Sequence, residues 1–405
     1  VELSKANIKE DSFIMQGKAY SFINKYRQTY GELPPVETVV AECADFEYVG
    51  EVPDNISYLA KSIKDATAKR VMFEMLQNEA SDIYNNSKGI DGLKIMADKF
   101  NHALEVLGTE NGLGTNFATT GAERLQNYLD RKENRTGRFI PTNFRTLNDW
   151  LGGGFELGDY ILFHAYPNRG KSWVASDFGV SAWNNGFGVL HYSPELSKEQ
   201  QMDRLDTLNG HFNNMGLKLG TLDNERQYEN YLKNFNEDMD TPYIVKTMDD
   251  IENGLTVELI EADLQANPDI KMVIIDGFNL MTHKGSKNGS NRDSMSTTSR
   301  KLRQIFGKYK VAGIVVHQTP TSAEKENNNK DEAGNRIVSP PELHQYSETV
   351  AVIQDACTVL TFDQADGVGA IKLVKARTPN VGKQVELQTD FNMGFIREVT
   401  ACDYF

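Results

Sequence analysis

The spacing of apolar residues divides the chain into two parts with different secondary structure. Up to about residue 105, apolar side chains recur every three or four positions, as in residues 58–66 and 70–76, which predicts amphipathic helices. Strand-like alternation is scarce in this part of the sequence, and we find no cluster of titratable residues there. We therefore expect an all-α packing or interaction domain.

From residue 140 onward, short apolar runs replace the helical period. Helical patterns separate most of the early runs, as in parallel sheets whose strands are joined by crossover helices. The predicted fold is therefore an α/β domain with a mostly parallel, twisted sheet and helices on both faces. The predicted strands are residues 160–164, 189–193, 243–246, 272–275, 313–317, 358–362 and 370–375.

A linker is predicted between these two parts. Residues 108–121 are rich in Gly and Thr, and a charged amphipathic helix is predicted to follow at residues 122–134. Its apolar stripe packs either within the chain or on a neighbouring subunit, and the pattern leaves both open. The predicted domains are a helical domain at 1–107, a linker with this helix at 108–139 and the α/β domain at 140–405.

Composition narrows the class of protein. Of the 405 residues, 39% are apolar and 25% are charged, which is typical of a globular protein, and no apolar run approaches the ~18 residues of a membrane span. Three widely spaced cysteines and no signal-peptide pattern indicate a reducing, cytoplasmic compartment. The net charge of −14 argues against a protein that coats nucleic acid through a globally basic surface, but it allows a local basic channel.

Residues 165–172 have the pattern of a phosphate-binding loop. An apolar strand precedes them, a helical pattern follows, and Gly170-Lys171-Ser172 closes the loop, as the motif requires. In that geometry Lys171 reaches the β- and γ-phosphates, and Ser172 ligates Mg²⁺. The alternative is a plain strand-to-helix turn. The predicted nucleotide contacts are Ala165, Pro167, Asn168, Arg169, Gly170, Lys171 and Ser172.

Three further predicted strands end in polar residues at the edge where α/β sheets bind ligands. Asp276 is predicted to hold Mg²⁺, Glu195 to act as general base, and Gln318 to sense the γ-phosphate. The alternatives are a turn aspartate for Asp276 and an exposed residue near a helix start for Glu195. His317 is expected to be a packing residue, because no second His lies at ligand spacing.

Two basic residues, Lys375 and Arg377, lie at the end of the last predicted strand. Alternation places Lys375 and Arg377 on one face of the strand end, where they could reach a γ-phosphate in a neighbouring subunit. The alternative is a solvated basic strand end.

These motifs occur together in an order that resembles the DnaB-type replicative helicases. Residues 140–160 run directly into the loop at 165–172, and that family also tolerates Ala at the first loop position. The matching positions are Glu195 for the catalytic glutamate, Asp276 for the second metal residue, Gln318 for the sensor, Gln354-Asp355-Ala356, and the Lys-x-Arg pair Lys375 and Arg377.

The resemblance spans about residue 122 to the C-terminus, and it implies a RecA-like ATPase domain in a ring of six copies. ATP would lie between neighbours, with Mg²⁺, and Lys375 and Arg377 would act across the subunit interface. It also implies single-stranded DNA as partner, 5′→3′ movement, and work with a primase and a helicase loader. Divergence from the commonest bacterial forms suggests a phage or plasmid origin.

A basic stretch between the strands of Asp276 and Gln318 is the predicted DNA contact. Residues 284–310 contain eight Lys or Arg and one Asp, and in a RecA-like ring such a loop lines the channel. A solvated loop without a DNA role is the alternative. A second loop, 319–341, is predicted to be mobile, and the segment 343–348 lacks the Arg of the family. The predicted DNA contacts are Lys284, Lys287, Asn291 and Arg292.

Two other functions fit the same motifs. One is a RecA-like ATPase of recombination or regulation, which the helical N-terminal domain disfavours. The other is an interaction protein that binds nucleotide without hydrolysing it. The set of Lys171, Glu195, Asp276 and Arg377 argues against that second function.

Overall fold

The structure is a computed structural model that divides into two compact units, residues 1–126 and 127–405. The described residues are 8, 10–50, 55–108, 117–118, 120–133, 137–235, 241–251, 254–283, 291–327, 329–332, 334–346 and 350–399.

The first unit is built from helices, and its described residues contain no strand. The helices are α1 (Gly17–Tyr30), α2 (Val36–Glu42), α3 (Ile56–Glu74), α4 (Ala80–Asn86) and α5 (Gly89–Gly108). A π-helical turn, Met75–Glu79, continues α3 into α4. The side chain of Tyr20 donates a hydrogen bond to the carbonyl oxygen of Ile8 at 2.6 Å, which holds the start of the described chain against α1.

A further helix, α6 (Gly121–Glu133), crosses the boundary between the units. Its apolar stripe is exposed in the single chain: 59% of Leu125, 58% of Tyr128 and 39% of Leu129. Acidic Glu123 lies in the first turn and basic Arg131 in the last, which complements the helix dipole.

The second unit is organised around a nine-stranded sheet. A small antiparallel pair, β1 (Phe139–Ile140) and β2 (Phe155–Glu156), lies outside it. The sheet strands are β3 (Tyr160–Ala165), β4 (Gly188–Ser193), β5 (Tyr243–Thr247), β6 (Ile270–Asp276), β7 (Ala312–Gln318), β8 (Thr358–Ala365), β9 (Val368–Lys375), β10 (Gln384–Asp390) and β11 (Phe395–Glu398).

Their order across the sheet is β5-β4-β6-β7-β3-β8-β9-β10-β11. Every pairing from β5 to β8 is parallel, and the three pairings from β8 to β11 are antiparallel. The parallel strands therefore place their carboxyl ends at one edge, while β9 runs back and ends at the opposite edge.

Helices cover both faces of this sheet. They are α7 (Arg145–Leu151), α8 (Lys171–Asn184), α9 (Lys198–Gly210), α10 (Asn214–Leu219), α11 (Glu225–Lys233), α12 (Val257–Ala266), α13 (Asn291–Tyr309), α14 (Thr321–Glu326) and α15 (Val350–Asp355). Alternate side chains of β3 serve two cores: Phe163 packs with Phe178 of α8, and Tyr160 packs with Phe306 of α13. Burial on both faces explains why β3 is apolar at every position except His164.

The fold predicted from the sequence is confirmed. All seven predicted strands are present, and the sequence prediction omitted β1, β2, β10 and β11. In β10, buried and exposed residues alternate strictly, because only one of its faces meets the core. Its four exposed residues are all polar, and it does not have the continuous apolar run by which the central strands were recognised.

Candidate nucleotide site

The phosphate loop connects the carboxyl end of β3 to the start of α8. Asn168 (φ +57°) and Gly170 (φ +84°) adopt left-handed backbone conformations. A Cβ atom added at Gly170 would lie 2.3 Å from Cζ of Phe391, so glycine is needed for space as well as for conformation. Ala165 is the last residue of β3 and has no positive φ, which explains why a residue with a Cβ fits there.

Four predicted residues meet at this edge of the sheet. The Ser172 hydroxyl donates a hydrogen bond to Oδ1 of Asp276 at 3.1 Å, and Nζ of Lys171 lies 3.8 Å from Oε2 of Glu195. The register explains the meeting, because Tyr192 pairs with Ile275 and Asp276 with Val316 across parallel strands.

Asp276 is the buried acid of this group, with 1% of its surface exposed. Burial raises the pKa of its carboxyl, whereas the charge of Lys171 and the hydrogen bond from Ser172 act in the opposite direction. A divalent cation beside this carboxylate would stabilise its ionised form in the same way.

A hydroxyl and a carboxylate oxygen form a donor set that suits Mg²⁺. Across the described ranges, no group of three or more His, Cys, Asp or Glu could hold a metal ion by itself. The oxygens of Ser172 and Asp276 therefore fit a cation that takes its remaining ligands from phosphate and water, as Mg²⁺ commonly does.

Arg204 of α9 is a residue of this site that the sequence prediction missed. Its Nη1 lies 4.0 Å from Oδ2 of Asp276, and its guanidinium lies over the ring of Trp173, 5.0 Å from the centroid. Its Nε and Nη1 are buried and find no hydrogen-bond partner among the described residues. Burial lowers the pKa of Arg204, because its charge is poorly solvated. A bound anion beside the guanidinium would compensate that charge.

The sequence signal for Arg204 is weak. It lies on a helix whose start is marked by the capping box of Ser197 and Gln200, and whose residues are polar on most sides. An arginine in such a helix is normally solvated, and only the packing of α9 against α8 turns it inward.

Gln318 lies beside the phosphate loop. It ends β7 with its side chain exposed, and it pairs in register with Ala165 of β3. The preceding residue, His317, is buried against the rings of Phe278 and Tyr346, and burial lowers its pKa to about 4. Its imidazole is therefore neutral at physiological pH, as expected for a packing residue.

The phosphate loop is also tied to the segment that follows β7. Nη2 of Arg169 donates a hydrogen bond to Oε1 of Glu324 at 2.6 Å, and Nδ2 of Asn327 donates to the Tyr166 hydroxyl at 2.6 Å. Arg336 donates to the buried Asp363 at 2.9 Å. Loop 319–341, predicted to be mobile from its composition, thus contains the helix α14 and fixed side chains.

The structure does not bring Lys375 and Arg377 to the phosphate loop of their own chain. Because β9 runs antiparallel to β8, they lie at the other end of the sheet. Nη1 of Arg377 is 3.6 Å from Oδ1 of Asp159, the residue immediately before β3. The six residues of β3 therefore separate Arg377 from the loop by about 20 Å.

The two cations have different surroundings. Nζ of Lys375 donates hydrogen bonds to the carbonyl oxygens of Ile353, Gln354 and Ala356 at 2.6, 3.2 and 2.7 Å, at the C-terminal end of α15. The Arg377 side chain is 67% exposed. In this conformation Arg377, and not Lys375, is exposed enough to reach another chain.

Of the four predicted DNA contacts, only Arg292 has a described side chain. Lys284 and Lys287 lie outside the described residues, as does the side chain of Asn291, whose backbone begins α13. Arg292 is exposed in the first turn of that helix. None of the helices in the described ranges is long and apolar enough to cross a bilayer.

Comparisons with known proteins agree with this geometry. The chain is 25% identical over 336 residues to the replicative DNA helicase DnaB of Helicobacter pylori, a match that covers 76% of this chain and 60% of the relative.

Two solved structures share the fold. One is an ATPase domain with a TM-score of 0.57 and 18% identity, covering 69% of this chain and 98% of that one. A DnaB-like replicative helicase, solved in a study of its interactions with primase, has a TM-score of 0.56 and 16% identity, covering 97% and 94%. Residues 139–392 match the profile of the DnaB-like helicase C terminal domain, and the chain therefore belongs to that family.

Proposed function

We propose that this protein is a replicative DNA helicase, a ring-shaped ATPase that moves along single-stranded DNA and unwinds the duplex at a replication fork. The observation that carries the proposal is that the candidate catalytic residues lie at two opposite edges of the sheet. Lys171, Ser172, Glu195 and Asp276 lie at one edge, and Arg377 lies exposed at the other. Two neighbouring chains would complete the site.

Within one chain, Lys171 and the backbone N–H groups of the phosphate loop would bind the ATP phosphates. Glu195 would orient and deprotonate the attacking water, and Gln318 would contact the γ-phosphate. Mg²⁺, held by Ser172 and Asp276, would neutralise phosphate charge. Arg204 would contribute a second cation from the same chain.

From the neighbouring chain, Arg377 would stabilise the charge that develops on the γ-phosphate. Lys375, bound to three carbonyl oxygens at the end of α15, would fix the strand end that carries Arg377. It would reach the phosphate itself only after leaving those hydrogen bonds.

The proposed assembly is a homo-hexamer with three structural parts: a helical domain at 1–107, a linker with docking helix at 108–139 and the ATPase domain at 140–405. The exposed stripe of Leu125, Tyr128 and Leu129 on α6 would pack on the adjacent subunit. Such a stripe is costly to leave in water, and burial against a neighbour would remove that cost.

The proposed DNA contacts are Lys284, Lys287, Asn291 and Arg292, in the central channel. Exposed Arg292 at the start of α13 supports this assignment among the described residues. The partners would be single-stranded DNA, a primase and a helicase loader, in the cytoplasm of a bacterium or of a phage-infected host. Family resemblance is the support for 5′→3′ movement.

Mixed assemblies test the proposal. ATP hydrolysis is measured with and without single-stranded DNA, on wild type mixed with rising proportions of Arg377→Ala. DNA should stimulate turnover, and in its presence the variant should lower turnover by more than its share, because the sites of one ring act in turn on the strand and a single disabled site stalls the others. Arg397→Ala, which removes an exposed arginine on β11, is the matched control.

Loss of activity only in proportion to the variant, together with no DNA effect, would contradict a helicase. A Glu195→Gln chain as active as wild type would instead indicate that hydrolysis is not the function of this site. Unwinding of a forked duplex then separates a helicase from a DNA-stimulated ATPase of recombination or regulation.

A further inference from the structure

Asp159 occupies the turn that leads into β3, at the edge of the sheet opposite the phosphate loop. Its backbone is fixed on both sides: its N–H donates to the carbonyl oxygen of Glu156 at 3.1 Å, and its own carbonyl oxygen accepts from the N–H of Gly313 at 2.9 Å. The side chain is 15% exposed. A carboxylate held in this way offers a fixed point for a mobile cation.

Two arginines approach this carboxylate at the same oxygen. Nη1 of Arg303 lies 3.7 Å and Nη1 of Arg377 lies 3.6 Å from Oδ1 of Asp159. Both guanidinium groups also donate to the sulfur of Cys357, Arg377 at 3.8 Å and Arg303 at closer range. Burial raises the pKa of the Cys357 thiol, so the thiol stays neutral and Asp159 supplies the negative charge of the cluster.

The two arginines differ in how firmly they are held. Arg303 belongs to α13, is 31% exposed, and also donates to the carbonyl oxygen of Gly158 at 3.4 Å. Arg377 follows the end of β9 and is 67% exposed. Arg303 and the backbone therefore fix Asp159, and Asp159 in turn limits the directions in which Arg377 can point.

We propose that Asp159 is a positioning residue for Arg377, holding its guanidinium at the subunit surface in the orientation that a neighbour's nucleotide requires. This rests on the proposed function, since it assigns Arg377 to a site in the next chain. An exposed arginine has many rotamers, and a carboxylate 3.6 Å from Nη1 favours those that keep the guanidinium beside it, which raises the share of chains ready to act.

Arg303 is the second part of this arrangement. It neutralises Asp159 from the side of α13, the helix that begins directly after residues 284–290. Removing Arg303 should leave Asp159 with Arg377 alone, in a turn that has lost one of its supports. The effect should be in the same direction as the loss of Asp159, and smaller.

The test separates the chain that donates Arg377 from the chain that binds ATP. Arg377→Ala chains keep an intact phosphate loop, and Lys171→Ala chains keep an intact Arg377. Neither hydrolyses ATP alone, but their mixture contains interfaces with both parts. Its turnover is measured without DNA, so that a complete site does not have to wait for the disabled sites of its ring. Asp159→Asn is then introduced only into the Lys171→Ala donor, so that no change touches the chain that binds ATP.

We expect the Asp159→Asn donor to support turnover about three- to tenfold lower than the unaltered donor, with KM for ATP unchanged. Glu156→Gln in the donor is the matched control, because it removes the nearby ion pair with Arg138 without touching Arg377. Asp159→Glu should restore at least half of the lost turnover, and unfolding temperatures of all donors should agree.

If the reference mixture of Arg377→Ala and Lys171→Ala chains is inactive, the shared site of the proposed function fails. If that mixture is active but the Asp159→Asn donor equals the Glu156→Gln donor, or exceeds it, Asp159 does not position Arg377. Should Asp159→Asn fail to fold, Arg303→Gln replaces it, with Lys301→Gln of the same helix as control, and equal activity of that pair overturns the proposal.

Discussion

Asp177 is a buried acid in α8, the helix that follows the phosphate loop, and its substitution by Asn gives a quantitative prediction. The residue is 4% exposed, and burial raises its pKa to about 7. Nδ2 of Asn143 donates a hydrogen bond to its Oδ1 at 2.9 Å, whereas Oδ2 has no partner among the described residues. An Asn side chain would keep the acceptor for Asn143 and remove the charge.

The sign of the pH effect follows from the direction of this shift. The unfolded chain releases the Asp177 proton near the ordinary pKa of 3.8, and the folded protein keeps it until about pH 7. The free energy of unfolding is therefore least affected by Asp177 below pH 4, and it falls as the pH rises from 4 to 7. At 1.36 kcal/mol per pH unit, the buried charge costs about 4 kcal/mol above pH 7.

Asp177→Asn should accordingly be more stable than wild type, with an advantage about 3 kcal/mol larger at pH 8 than at pH 5. Urea unfolding at several pH values measures the difference. Tryptophan fluorescence reports on the second unit specifically, since all three tryptophans, Trp150, Trp173 and Trp183, belong to it. An advantage that stays constant from pH 5 to 8 would refute the argument, and exposed Asp269→Asn serves as control.

Three further substitutions test the nucleotide site. Arg204→Gln should lower the rate of ATP hydrolysis at least tenfold, measured at saturating ATP, without lowering the unfolding temperature, because the buried guanidinium lacks full compensation. Gly170→Ala should destabilise the protein by at least about 1 kcal/mol and weaken ATP binding, and it should lower the unfolding temperature less when made in a Phe391→Ala chain, which has no ring atom 2.3 Å from the added Cβ atom. Glu324→Gln should raise KM for ATP by up to about fivefold, because it cuts the bridge to Arg169, and an unchanged KM would show that this bridge does not order the loop.

The sequence was sufficient for the fold class and for seven of the eleven strands, because most of those seven are buried on both faces. Such strands are continuous apolar runs, and each of the predicted ones was found. Lys171, Asp276 and Gln318 could be grouped from the sequence for the same reason, since parallel strands end at a common edge. Their chemical roles stay predictions until activity is measured.

What the sequence could not reveal depends on contacts between distant segments. Arg204 is buried only because α9 packs against α8, and its local sequence is that of a solvated helix. Lys375 and Arg377 differ in their surroundings because Lys375 bonds to carbonyl oxygens at the end of α15 and Arg377 pairs with Asp159. Most of these partners are 20 or more residues away in the chain. Alternation along a strand predicts that two side chains lie on one face, but it does not predict which residues from distant segments they contact.

Because β3 lies between Asp159 and the phosphate loop, the number of complete ATPase sites depends on how many chains are joined. On the proposed assembly, a complete ATPase site belongs to a junction between chains and not to a chain. An isolated chain then has none, an open row has one fewer than its number of chains, and a closed ring has as many as its chains. Parting the ring at one junction to admit a DNA strand would therefore silence one site, and activity per chain should fall on dilution even while every chain stays folded.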